Sequence, residues 1–250
     1  MSTHIKFHVR GIPCLEFTPT SPSKGTILLY HGWASNIENY SFFGSLVASW
    51  GYRIIVPELP YHGERGELNY FDDTVLEDYF WEVVLQGIQE IGVITSEIST
   101  TQDHIGIVGH SCGGFIAAGA FSNFSRIATA VVINGSCAWT KFEDLYREKK
   151  GIDPMCPQKR LLVETHDPVS HLKIKDNKAL LLLHGKDDMT IPIDSQRHFM
   201  SVMSKKYAGN LELVEYAGVN HQITIGMLQK CKEWFDKHLN GANSAGRTSK

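Results

Sequence analysis

The chain has 250 residues, 42% of them hydrophobic and 20% charged, with a formal net charge of −3. That length suits one large α/β domain or two small ones, and the apolar fraction supports a sizeable core. The charge balance leaves no basic footprint for a nucleic acid, and no apolar run approaches the ~18–20 residues that span a bilayer.

Taken in chain order, HIKFHVRGIPCLEFTP reads as two short strands around Arg10 and Gly11. TILLY (26–30), YRIIVP (52–57), HIGIVGH (104–110), TAVVIN (129–134), ALLLLH (179–184) and LELVEY (211–216) follow, most of them continuous apolar runs. Such runs mark strands covered on both faces, as in a parallel sheet. Helical patterns separate them. Asn36 to Trp50 carries Tyr40, Phe43, Leu46 and Val47, and Val75 to Ile94 repeats apolar residues at helical spacing. Residues 112–121 are rich in Gly and Ala, Pro192 is read as a helix start, and a last helix carries Leu228, Cys231, Phe235 and Leu239. The alternation predicts an α/β protein, a doubly wound, mostly parallel sheet with helices on both faces. Neither an internal repeat nor a linker is visible, so residues 1–240 are read as a single domain. The tail 241–250, small and polar, is expected to be disordered.

One interval breaks the rhythm. About forty residues separate TAVVIN from ALLLLH, more than a plain crossover needs. Trp139, Phe142, Leu145 and Tyr146 fall on one helix face, which Gly151 and Pro154 terminate. Residues 137–178 are therefore expected to form a small cap insertion over one edge of the sheet, with an ordinary long crossover as the alternative.

Five cysteines (Cys14, Cys112, Cys137, Cys156, Cys231) are scattered, with no CxxC pair. This argues for reduced thiols rather than a disulfide framework or a zinc ribbon. With an N-terminus that lacks the layout of a secretory signal, it sets the expectation of a cytoplasmic protein. His166 and His171 stand five apart, too loosely placed for a ligand pair, so no metal and no cofactor are expected.

In an open parallel sheet, ligands bind at the carboxyl ends of the strands. His31-Gly32-Trp33 follows TILLY, Ser111 follows HIGIVGH, Asp187 and Asp188 follow ALLLLH, and His221 follows LELVEY. GHSCG (109–113) matches G-x-S-x-G, which puts a serine on a strained turn between strand and helix. With glycine at about 7% of residues, chance alone yields this pattern in roughly one chain of this length in ten. The buried strand before it and the small-residue helix after it are what give it weight. Serine needs a base, and His221 is the candidate; the imidazole needs a carboxylate, and both Asp187 and Asp188 qualify by position. The oxyanion donors assigned are the backbone N–H groups of Trp33 and Cys112. The candidate pocket residues are Tyr61, His62, Trp139, Phe142 and Tyr146.

HGW, GHSCGG, HGKDDMTIP and the late NH, in that order, resemble the α/β-hydrolase superfamily from Thr26 to Leu239. Within it the chain looks like bacterial serine esterases of the prolyl-oligopeptidase (S9) and dienelactone-hydrolase-like branch. The resemblance implies an eight-stranded sheet and selects Asp188 as the triad acid, because H-G-x-x-D-x-x-V-P falls on His184 to Pro192. PELPYHGERG is similar to the loop such proteins carry after the fourth strand, with Glu58 where aspartate is usual. Glu58 is read as structural there, with His62 and Arg65 as packing or pocket-rim residues. The expected function is a serine carboxylesterase acting on a small-molecule ester through an acyl-enzyme. The alternatives are peptide or amide cleavage on the same triad, and a non-catalytic binder that keeps the pocket. No nucleic-acid or membrane partner is expected, and the sequence carries no mark of oligomeric state.

Overall fold

The computed structural model describes residues 3–98, 105–172, 178–205 and 210–239; the tail 241–250 lies outside them. The first two strands, β1 (Thr3–Val9) and β2 (Ile12–Thr18), form a hairpin. Its two loop residues, Arg10 and Gly11, both take positive φ (50° and 85°). That geometry matches the right-handed twist of the strands it joins.

Six further strands complete the sheet: β3 (Thr26–Tyr30), β4 (Arg53–Pro57), β5 (Ile105–His110), β6 (Ile127–Ile133), β7 (Ala179–Gly185) and β8 (Leu211–Tyr216). The spatial order is β1-β2-β4-β3-β5-β6-β7-β8. β2 is antiparallel to both neighbours and all other pairs are parallel. Parallel neighbours need crossovers, which the helices supply. These are α1 (Ser41–Ser49), α2 (Asp73–Glu97), α3 (Cys112–Asn123), α4 (Trp139–Lys150), α5 (Pro157–His166), α6 (Pro168–His171), α7 (Asp194–Met203) and α8 (Ile225–His238).

Every residue of β6 and β7 is buried, because helices cover both faces. Side chains alternate between them. Leu180 and Leu182 join α2, α3 and α7, whereas Leu181 and Leu183 meet α1 and α8. Helix ends follow local chemistry. The Asp72 carboxylate accepts from the N–H of Thr74 (2.8 Å) and caps α2. Gly151 closes α4 in the left-handed region at φ 65°. α7 starts at Asp194 rather than at Pro192, whose carbonyl instead accepts from Ser195 N–H in a preceding turn. Among the described residues no helix is long and apolar enough to cross a membrane.

Two features position the site. The chain leaves β3 toward β4 on one side and returns to β5 on the other. Loops therefore diverge at the carboxyl ends of β3 and β5 and open a crevice there. The residues between β6 and β7 fold into α4, α5 and α6. β6 and β7 each have neighbours on both sides, so this segment leaves and re-enters the sheet at interior strands. It packs against α7, α3 and the start of α2, with Trp139 against Trp81 at 5.2 Å between ring centroids.

Candidate active site

The crevice is built around the turn from β5 to α3. Ser111 sits there at φ 57°, ψ −123°, a backbone region that side chains rarely adopt. Its N–H donates to Ile133 O (3.0 Å), which ties the turn to β6. The surrounding glycines are sterically required. A Cβ on Gly109 would overlap the backbone of Gly113, and one on Gly113 would overlap the carbonyls of Tyr30 and His31. Backbone cannot move aside as a flexible side chain can, so α3 presses directly on the end of β3. The Ser111 carbonyl accepts from Gly114 and Phe115. The N–H of Cys112, first residue of α3, belongs to the initial turn, which has no intrahelical acceptor. The Cys112 thiol is fully buried, and burial pushes its pKa up.

The later loops bring two side chains to Ser111. Its hydroxyl lies 2.8 Å from His221 Nε2, and His221 Nδ1 lies 2.8 Å from Asp188 Oδ2. With Nδ1–H donating to the carboxylate, Nε2 is left as the acceptor for the serine proton. Asp188 Oδ1 accepts from the N–H groups of Thr190 and Ile191, each at 2.8 Å. Burial alone would raise the Asp188 pKa. Hydrogen bonds from His184, His221 and Ile191 more than offset it and hold the carboxyl well below the usual range. Asp187 is exposed, and its carboxylate accepts instead from Gly218 N–H (2.7 Å). The structure thus brings Asp188, not Asp187, to the imidazole.

The loop after β3 closes the other side. An added Cβ at Gly32 would stand 3.3 Å from the Ser111 Cβ, so the Gly32-Trp33 backbone runs against the serine. His31 braces this loop: Nδ1–H donates to Gly32 O (2.9 Å), and Nε2 accepts from Leu59 N–H (3.2 Å). Burial lowers the His31 pKa to about 3, which keeps it neutral and able to do both.

Beside Ser111 lies a largely apolar cavity of about 140 Å³. Leu76, Phe80 and Trp81 of α2 form one wall; Phe142 and Tyr146 of α4 form the facing one. Trp33, Met155 and Ile191 complete it, and the Trp33 indole is held by donation to Tyr70 O (2.9 Å). Glu77, Glu143, Arg147 and Lys159 also contribute to the lining. Of the pocket residues expected from sequence, Phe142 and Tyr146 line this cavity, and three others do not. Trp139 is fully buried beneath it, against Trp81. His62 is buried behind Trp33, stacked on Tyr70 at 4.6 Å. Tyr61 is turned to Glu82, to which its hydroxyl donates (2.5 Å). Glu58 accepts from Glu64 N–H (2.9 Å) and its carbonyl from Arg65 (2.8 Å), which suits the structural reading of that loop. Sequence reasoning missed Leu76, Phe80 and Trp81 as wall residues; Leu76 and Phe80 belong to the apolar residues at helical spacing between Val75 and Ile94, which gave a helix face but not what it packs against. Among the described residues no group of three or more His, Cys, Asp or Glu is placed to hold a metal ion.

The strand order and the elbow after β5 make the protein an α/β-hydrolase. A solved structure of TT1662 from Thermus thermophilus superposes with a TM-score of 0.78 at 19% identity, over 96% of this chain and 98% of that one. More narrowly, the chain belongs to the prolyl oligopeptidase family, whose model matches residues 39–242. Two relatives match along most of their length. The putative esterase YitV of Bacillus subtilis (strain 168) is 26% identical over 92% of this chain and 97% of that protein. Esterase YjfP of Escherichia coli (strain K12) is 25% identical over 85% and 88%.

Proposed function

We propose that the protein is a serine carboxylesterase. The observation that carries this is the unbroken sequence of contacts from Asp188 through His221 to the Ser111 hydroxyl, at 2.8 Å each. Ser111 attacks the ester carbonyl as His221 takes its proton. The imidazolium so formed is stabilised by Asp188, then returns the proton to the leaving alcohol. Water, deprotonated by the same imidazole, attacks the acyl-enzyme and releases the acid. The N–H groups of Trp33 and Cys112 are the assigned oxyanion donors, supported by the Gly32-Trp33 backbone against Ser111 and by the start of α3. The esterase names of the two relatives support an ester as substrate. Four buried thiols, none in a disulfide, support a reducing cytoplasmic setting.

The acyl group occupies the aromatic-walled cavity. An apolar cavity of roughly 150 Å³ holds a benzene molecule, so this one suits an acyl chain of about six heavy atoms. The test is fluorophosphonate labelling with the site mapped, followed by nitrophenyl esters of increasing chain length and a prolyl anilide. Expected are a label on Ser111, loss of both label and turnover in Ser111→Ala, a rate maximum at short acyl chains, and slow or absent anilide cleavage. An unlabelled Ser111 in folded protein overturns the mechanism. Anilide turnover matching the best ester overturns the substrate class.

A further inference from the structure

The residue before the nucleophile joins three loops that the chemistry needs to hold in register. His110 Nε2 lies 3.2 Å from the backbone carbonyl of His221, and its Nδ1 lies 2.9 Å from the hydroxyl of Tyr40. The same hydroxyl lies 3.1 Å from Gly32 N–H. Only one proton arrangement satisfies all of these. A carbonyl can only accept, so His110 Nε2 carries the proton and Nδ1 is an acceptor. Tyr40 therefore donates to Nδ1 and uses its oxygen to accept from Gly32. The chain runs in one direction: Gly32 N–H to Tyr40 O, Tyr40 O–H to His110 Nδ1, His110 Nε2–H to His221 O.

We infer that Tyr40 and His110 are positioning residues that set the spacing between the loop bearing the Trp33 amide and the loop bearing the His221 imidazole. The inference rests on the reading of Ser111 as nucleophile. Both residues are held for the task. Tyr40 is 9% exposed and stacks on Phe43. His110 packs its ring on that of His221 at 5.1 Å. Burial, with the neighbouring His221, lowers the His110 pKa to about 3, so the acceptor nitrogen is not lost to a proton near neutrality. The groups around the ring are His221, Asp188 and His184 across the crevice, with Tyr40 on the other side. A second tie acts on the same histidine loop: Asn134 donates to Gln222 O (3.1 Å) and accepts from Gly185 N–H (3.0 Å). The Asn134 tie secures the loop to β6 and β7. The Tyr40–His110 chain crosses to the Gly32-Trp33 side.

A misplacement of about 1 Å costs on the order of 10²-fold in rate. His110→Leu is therefore expected to lower kcat about 10²-fold with KM within about twofold, and Tyr40→Phe about tenfold. His110→Gln, whose amide can still donate to His221 O, should recover most of the loss. The decisive readout is fluorophosphonate labelling followed in time: the variants should label slowly yet reach the same final stoichiometry as the unsubstituted protein. A purely structural defect would instead lower the final stoichiometry in step with kcat, and that result overturns the inference. So does wild-type labelling speed in Tyr40→Phe, the milder variant, which decides the matter should His110→Leu not fold. Absence of Ser111 labelling in the unsubstituted protein would count against the mechanism itself, a separate outcome.

Discussion

The two sides of the crevice are built by different means. On the elbow side, backbone presses on backbone: Gly109 on Gly113, and Gly113 on the carbonyls that end β3. On the cap side, α4 and α5 reach α2 through side chains. Lys159 pairs with Asp78 at 2.9 Å, Arg147 with Glu77 at 3.3 Å, and Trp81 donates to the buried Glu143 at 2.6 Å. The first arrangement has no slack, because close-packed main chain can only clash or separate. The second has rotamers to spend and partly exposed charges of small individual worth. On the proposed function, bond-making would fall to the rigid side and choice of acyl group to the adaptable one.

Substitutions can break or sharpen this contrast. The largest effect is expected from Asp188→Asn on the rigid side. The amide would present the wrong hydrogen-bonding pattern to His221, and kcat should fall about 10⁴-fold with little change in KM. Steady-state kinetics decides it, and a loss below tenfold would remove Asp188 from its role. Next comes Gly113→Ala, whose added carbon meets only main chain; folded protein should be scarce or absent, as read by circular dichroism and yield. On the cap side, Phe142→Ala should cost about 3–5 kcal/mol of stability. The same change should move the acyl-length optimum toward longer chains while the best kcat stays within about tenfold; an unchanged optimum would show that the acyl group lies elsewhere.

Acid should also find the rigid side. His31 and His110 both have pKa values lowered to about 3, chiefly by burial, against an ordinary value of 6.5. Between those limits the unfolded chain binds more protons than the folded one. The stability they contribute is complete above about pH 6.5 and drains away as pH falls toward 3. The melting temperature should therefore drop between pH 7 and pH 5, and His110→Gln should flatten part of that slope. The smallest effect is expected at the cap: Gly151→Ala meets open space but keeps φ 65°, and should cost about 1 kcal/mol with kcat unchanged.

What the sequence disclosed follows the same divide. The elbow is a local object, so GHSCGG between an apolar run and a small-residue helix displays it in six letters. The meeting of Ser111, Asp188 and His221 was legible because Ser111 directly follows β5, Asp188 and His221 lie in the short loops that leave β7 and β8, and parallel strands end on one side of a sheet. The pocket was not legible in the same way. Its walls come from α2 and α4, about sixty residues apart, and which face of α2 overhangs the cavity depends on where the cap settles. Trp139 and His62 were assigned to the pocket for their residue type and place, yet packing turned them inward to Trp81 and Tyr70. Tyr40 read as one apolar position on a helix, since nothing in its neighbourhood announces a hydrogen bond seventy residues away.

Cys112 shares a peptide bond with Ser111, yet its sulfur is buried in the core between sheet and helices. Alkylating reagents such as iodoacetamide, which silence hydrolases that attack through sulfur, have no path to it. Cys156, the one exposed thiol, would take up the reagent instead. A preparation carrying a dye or tether at that cysteine should keep whatever turnover runs through the proposed Ser111 hydroxyl, despite a thiol standing one residue away.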